Sequence, residues 1–240
     1  VATMAMEAAK KKGIDVSNVR VALQGFGNVG SYAGMYIEEA GAKVVAVEDH
    51  TGTIVNEAGI DMKALMDYNK EHRCIKGFPG ADAVEGSVIT MDVDVLMPCA
   101  LENQITSANA GDVKAKIVCE GANGPTTPEA DAILFANGVT LVPDILANSG
   151  GVTVSYFEWV QNLMRYNWTF EEVQDKQKAL MVKAFEEIWS LAGEHGVDMR
   201  TAAYMMSIKR IADAMKLRGW YTETPVKQVE ENKEESTVLA

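Results

Sequence analysis

The chain is poor in the residues that carry metal, redox and membrane chemistry. Its three cysteines, Cys74, Cys99 and Cys119, have no metal-ligand spacing, and their odd number does not suit a disulfide framework. A reducing cytoplasm is therefore the expected compartment. The three histidines, His50, His72 and His195, are scattered, with no H-E-x-x-H or similar cluster, and indicate no structural metal. No apolar run approaches the roughly 18 residues of a membrane helix, and no signal peptide opens the chain. Basic residues are also few. The 22 Lys and Arg against 34 Asp and Glu leave a formal charge of −12, which argues against nucleic acid and anionic membrane surfaces as partners. No internal repeat is evident, and 240 residues suffice for one large domain or one domain with helical additions.

What is present centres on Val19–Gly30. Apart from Arg20, Val19–Leu23 is an apolar, β-branched-rich run, the pattern of a strand buried on both faces. Gly25-Phe26-Gly27-Asn28-Val29-Gly30 follows, a G-x-G-x-x-G, and then a segment with Val29, Ala33, Tyr36, Ile37 and Ala40 at helical spacing. In such a turn Gly25 takes the chain off the strand, Gly27 lets backbone approach a pyrophosphate, and Gly30 lets the helix press onto the sheet. The helix start offers free N–H groups and a positive dipole end to phosphate. A second strand, Lys43–Val47, ends in Glu48, 21 residues after Gly27, where a carboxylate would hold a ribose diol. Together these predict a dinucleotide site.

The rest of the chain reads as alternating strands and helices. A helix precedes the first strand, with Ala2, Ala5, Met6 and Ala9 on one face, Lys10-Lys11-Lys12 at its end and Gly13 as its stop. The chain opens on Val1 rather than methionine, so a further segment is expected upstream. Asp61 caps a helix to Glu71, and His72–Gly86 reads as a glycine-bearing loop. Short strands are predicted at Val88–Thr90, Val93–Met97, Lys116–Cys119 and Val139–Val142. Thr127-Pro128-Glu129 begins a helix that ends near Ala136. The alternation predicts a parallel, doubly wound α/β sheet. From Ser149 three helices follow, the second capped by Thr169 and the third, Asp198–Leu217, carrying Ala202, Met205, Ile208, Ile211, Ala212 and Met215 as a packing stripe. Residues 222–240, acidic and with few apolar groups, are expected to be disordered.

In such a sheet ligands gather beyond the carboxyl ends of the strands. Pro98–Asn103, Gly121–Pro125 and Pro143–Gly151 are the loops there. Asn123 and Asn148 offer a donor and an acceptor each, which suits a carboxamide or a ribose hydroxyl, although asparagine beside glycine is also ordinary turn chemistry.

The glycine motif, then Glu120-Gly121-Ala122-Asn123-Gly124-Pro125-Thr126-Thr127-Pro128-Glu129-Ala130, then Asn148-Ser149-Gly150-Gly151-Val152-Thr153-Val154-Ser155-Tyr156-Phe157-Glu158-Trp159, resemble the nucleotide-binding domain of glutamate dehydrogenase, in the Glu/Leu/Phe/Val dehydrogenase family. Arg200-Thr201-Ala202-Ala203-Tyr204 to Arg218-Gly219-Trp220 is similar to that family's C-terminal helix. The resemblance covers residues 1 to about 221 and implies a Rossmann-like domain with additional C-terminal helices at about 149–219. It also implies that the N-terminal substrate domain is absent, together with the lysine and aspartate that move protons, so no catalytic residue is expected here. Lys43, Lys63, Lys114 and Lys116 read as solvated charges, and the resemblance gives Asp144 no catalytic role.

The family's reaction is oxidative deamination of L-glutamate to 2-oxoglutarate and ammonium, and its members form hexamers, so the parent is expected to be a homohexamer. The resemblance implies Gly25, Gly27, Asn28, Val29 and Gly30 at the pyrophosphate and Glu48 at the adenosine ribose, with Phe26 and Asp49 also among the expected cofactor-binding residues. It implies Ala100 along the dinucleotide, Asn123 and Asn148 near the nicotinamide, and Val152 and Ser155 at the glutamate side chain. Glu48 would bond both ribose hydroxyls and repel a 2′-phosphate, and Asp49 adds a second charge, so NAD is favoured over NADP. Two other readings remain open: the same domain from a leucine, phenylalanine or valine dehydrogenase, and a noncatalytic dinucleotide-sensing module.

Overall fold

The computed structural model describes residues 1–220. In chain order they form α1 (Ala2–Lys11), β1 (Arg20–Gln24), α2 (Asn28–Glu39), β2 (Lys43–Asp49), β3 (Gly52–Val55) and α3 (Met62–His72). Then come β4 (Asp82–Val84), β5 (Val95–Pro98), β6 (Ile117–Cys119), α4 (Pro128–Ala136) and β7 (Thr140–Val142). The chain closes with α5 (Asp144–Ala147), α6 (Gly150–Met164), α7 (Phe170–His195) and α8 (Met199–Leu217). The expectation for 222–240 lies outside the described residues.

The seven strands form one sheet in the order β4-β3-β2-β1-β5-β6-β7. β1 pairs in parallel with β2 on one side and β5 on the other, so the strand order reverses at β1. Crossovers long enough to carry helices keep β1, β2, β5, β6 and β7 parallel. The predicted parallel, doubly wound sheet is present, with an antiparallel addition at one edge that the sequence reading did not include: β3 runs antiparallel to β2 and β4 antiparallel to β3. The connection from β2 to β3 is too short for a crossover. Asp49 fixes it as a turn, its Oδ1 accepting from Thr51 N at 2.7 Å, and Gly52 supplies φ +140°. β4 lies inside the stretch read as a loop; all three of its residues are exposed, so no alternation betrays it. Val88–Thr90, predicted as a strand, is a 3-10 turn instead.

The parallel strands are covered on both faces, which explains their unbroken apolar runs. Ala22, Leu96, Val118 and Leu141 share a register and pack with Leu134 of α4, while Leu23, Met97 and Cys119 face the other way. Each large aliphatic buried here contributes about 2 kcal/mol. On α2 the predicted stripe is buried only at Ala33 and Ile37, and Val29 and Tyr36 are exposed. Small residues set its approach to the sheet: a side-chain carbon on Gly34 would stand 2.7 Å from Leu23 Cδ1. The caps follow the sequence reading. Asp61 accepts from Ala64 N at 2.8 Å, Thr127 from Ala130 N at 3.3 Å, and Thr169 forms a reciprocal capping box with Glu172.

The described residues divide into two units, Val1–Tyr204 and a second that begins at Met205. In the second, Lys209 pairs with Asp213 and the Arg218 guanidinium lies over the Trp220 ring at 5.0 Å. The stripe predicted on α8 is buried at Ala202 alone, with Ile208 and Ile211 exposed. Among the described residues no helix is long and apolar enough to cross a membrane.

Candidate functional site

β1 delivers the glycine turn to the carboxyl edge of the sheet, and two of its glycines answer to the protein's own packing. Gly25 has φ +94°, and a side-chain carbon there would stand 2.7 Å from the Ala100 Cα. One on Gly30 would stand 1.9 Å from the Gly25 carbonyl oxygen, so any larger residue would lift α2 off the turn. Gly27 is different. Its backbone (φ −82°, ψ −160°) suits any residue, and no protein atom lies within 4 Å of where a side-chain carbon would sit. The space there is open, and filling it would cost only what lies outside the protein. Gly27 also caps α2 without a side-chain bond, and the first intrahelical bond is Ser31 N to Gly27 O at 2.9 Å. The amides of Asn28, Val29 and Gly30 therefore precede the helix's own ladder, as an anion site requires.

This turn floors a crevice of about 800 Å³. The structure brings Gly25, Phe26, Gly27, Asn28, Glu48, Asp49 and Ala100 together in its lining. Gln24, Gln104, Lys70 and Arg73 also line it, and sequence reasoning missed them. For the two cations the available signal was their place at the end of α3, Lys70 in its last turn and Arg73 as its left-handed C-cap. Glu48 is half-buried. Its Oε2 accepts from Ser87 Oγ at 2.7 Å and from Val88 N at 2.8 Å, which is what draws Val88–Thr90 out of strand geometry. Oε1 has no protein partner among the described residues. Asp49 lines the crevice with its carboxylate committed: Oδ1 holds Thr51 and Oδ2 accepts from Ile75 N at 3.2 Å. It offers charge to the crevice rather than a free acceptor pair.

Val29, Gly30, Asn123, Asn148, Val152 and Ser155 are not among the crevice-lining residues. The turn is nevertheless continuous with the next loop. The amides of Gly121 and Ala122 both donate to Pro98 O, at 2.9 and 3.0 Å, and a side-chain carbon on Gly121 would strike Cys99 Sγ at 2.5 Å and Val29 at 3.1 Å. The two asparagines do meet, with Asn148 Nδ2 donating to Asn123 Oδ1 at 2.7 Å. Val152 and Ser155 are exposed in the first turns of α6, and the Ser155 hydroxyl donates to Gly151 O at 3.2 Å.

Behind these loops lies a second group that the sequence reading did not assemble. Arg200, in the first turn of α8, bonds Asp131 through Nε, Asp144 through Nη1 at 2.9 Å, and both oxygens of Glu120 through Nη2 at 2.8 and 2.9 Å. Glu120 is fully buried. Burial pushes its carboxyl above the usual range, against the pull of Arg200, and burial likewise raises Asp131. Burial works to lower Arg200, but Glu120 and Asp131 more than offset it and hold the guanidinium above its ordinary value. Asp144, tied to Arg200, is no free acid. Burial pushes the Cys99 and Cys119 thiols up to about 12, so neither supplies a thiolate at neutral pH.

A glycine turn at the point where strand order reverses, in a sheet wrapped by helices, defines a Rossmann-like α/β domain of the nucleotide-binding kind. The chain belongs to the Glutamate/Leucine/Phenylalanine/Valine dehydrogenase family, whose model matches residues 1–219. It is 53% identical to the NAD-specific glutamate dehydrogenase of Clostridioides difficile over 227 residues, 92% of this chain and 54% of that protein. It is 47% identical to a catabolic NAD-specific glutamate dehydrogenase of Bacillus subtilis, covering 89% of this chain and 50% of that one. The crystal structure of glutamate dehydrogenase from Peptoniphilus asaccharolyticus aligns with TM-score 0.78 at 44% identity, covering 92% of this chain and 53% of that one. A hetero-hexameric glutamate dehydrogenase from Thermus thermophilus, in a Leu-bound form, aligns with TM-score 0.83 at 32% identity, covering 92% and 53%. The chain thus spans about half the length of the relatives it matches.

Proposed function

We propose that residues 1–221 are the NAD-binding domain of a glutamate dehydrogenase, a cytoplasmic homohexamer that oxidatively deaminates L-glutamate to 2-oxoglutarate and ammonium. The observation that carries the cofactor reading is Gly27: neither its backbone nor its neighbours need a glycine, and a side chain there, at the N-cap of α2, would enter open space. In this reading the amides of Asn28, Val29 and Gly30 hold the diphosphate, Glu48 Oε1 accepts from the adenosine ribose, and Ala100 flanks the dinucleotide. Asn123 and Asn148 orient the carboxamide end. NAD supplies the hydride acceptor. Val152 and Ser155 meet the substrate side chain, the hydroxyl donating to the distal carboxylate. Relatives named NAD-specific glutamate dehydrogenases support glutamate over an apolar amino acid, and they support NAD.

The proton-transfer lysine and aspartate belong to the other half of the parent, so this chain alone binds NADH without turning over glutamate. Titration of the pure chain with NADH and NADPH, followed by a steady-state glutamate assay, tests this. Saturable NADH binding, tighter than NADPH and without deamination, is expected; absence of NADH binding, or full deamination by the chain alone, contradicts it.

A further inference from the structure

Resting on that cofactor reading, we infer that Arg200 is the positioning residue for the carboxamide end of the dinucleotide site: it locks the loops that carry Asn123 and Asn148 into one arrangement without lining the crevice.

The connections are explicit. Asp144 receives Arg200 Nη1 on Oδ1, and its Oδ2 accepts from Gly124 N at 2.8 Å, next to Asn123. Glu120, at the end of β6, receives Arg200 Nη2 and in turn accepts from Asp144 N at 2.7 Å through Oε2. One guanidinium therefore ties the start of loop 121–125, its middle, and the segment 144–148 that ends in Asn148. The asparagine pair, at 2.7 Å, is the far end of this chain of bonds. The planar guanidinium presents Nε, Nη1 and Nη2 as separate donors in a fixed fork and meets a different acid through each, whereas an ammonium offers its donors from a single atom. The partners stand 56 to 80 residues from Arg200 in sequence, so no local turn chemistry duplicates the link.

The adenosine end is held by other means. Gly25, Gly27 and Glu48 depend on β1, β2 and the Ser87–Val88 turn, and the side-chain bonds of Arg200 go instead to Glu120, Asp131 and Asp144. Loosening the arginine should therefore misplace Asn123 and Asn148 while leaving the diphosphate and adenosine sites intact. A purely structural role would weaken both ends together, or neither.

The test is a pair of titrations, NADH and ADP-ribose, on the wild-type chain and on Arg200→Gln. In the variant the NADH dissociation constant is expected to rise roughly tenfold while that of ADP-ribose holds within about twofold, with Arg200→Lys intermediate. A NADH to ADP-ribose ratio unchanged from wild type, or equal weakening of both ligands, overturns the inference. Should Arg200→Gln not fold, Asp144→Asn breaks the link to Gly124 N while the arginine stays paired with Glu120. The same selective loss is expected there, and an unchanged ratio overturns the inference. A wild-type chain that binds neither ligand overturns the underlying cofactor reading as well, and so is told apart from failure of the arginine alone.

Discussion

The Gly25 backbone N–H donates to the Glu48 carbonyl oxygen at 2.7 Å. This bond joins the glycine turn to the end of β2 and fixes the backbone of the turn against that of Glu48. In the proposed reading this sets the diphosphate amides and the Glu48 carboxylate in place ahead of the ligand, which lowers the ordering cost of binding.

The three glycines of the motif should separate cleanly when each is replaced by alanine. Gly25→Ala incurs about 1–3 kcal/mol of backbone strain in addition to its clash with Ala100, and Gly30→Ala collides with the Gly25 carbonyl; both should lower the unfolding midpoint. Gly27→Ala should cost about 1 kcal/mol of stability or less, since its φ/ψ suit alanine, yet it should weaken NADH binding at least tenfold. Thermal unfolding read beside NADH titration checks the series.

Glu48→Ser should narrow the preference for NADH over NADPH. The substitution removes one of the two carboxylates, Glu48 and Asp49, in a crevice that Lys70 and Arg73 also line, so the repulsion of a 2′-phosphate falls. The ratio of NADH to NADPH dissociation constants measures this; a ratio that does not move removes the charge argument.

Ser155→Val, made in the complete enzyme, tests the substrate assignment. Loss of one hydrogen bond to a charged carboxylate costs about 1.5–3 kcal/mol, which should raise KM for glutamate by roughly 10- to 100-fold. Glutamate kinetics that are unchanged would favour the apolar amino-acid reading.

Asp94 predicts the acid limb of stability. Burial works to raise its carboxyl, but Arg20 N, donating at 3.0 Å, and the Lys116 ammonium at 2.8 Å outweigh it, and the folded value lies below the ordinary one. A depressed folded value means that the stabilisation is present above about pH 4 and is lost as pH falls through the folded value. Asp94→Asn should therefore cost about 1 kcal/mol at neutral pH, with the difference from wild type shrinking in acid, followed by denaturant unfolding across pH.

What was legible in the sequence was what neighbouring residues decide. β1, β2, the glycine turn and the caps Asp61, Thr127 and Thr169 each carry their signal within a few positions. Contacts distant in sequence hid the rest. Val88 is β-branched and apolar and reads as strand, but its amide is claimed by Glu48, 40 residues earlier. β4 has no buried face to impose a period. Lys70 and Arg73 reach the crevice only because α3 packs beside α2, and the acids around Arg200 come from three separate segments.

The most direct measurement is a crystal structure of this chain grown with saturating NADH. The account predicts diphosphate oxygens within hydrogen-bonding distance of the Asn28–Gly30 amides and a ribose hydroxyl on Glu48 Oε1. A crevice left empty under those conditions, or a dinucleotide bound elsewhere with Gly27 still facing open space, would contradict it.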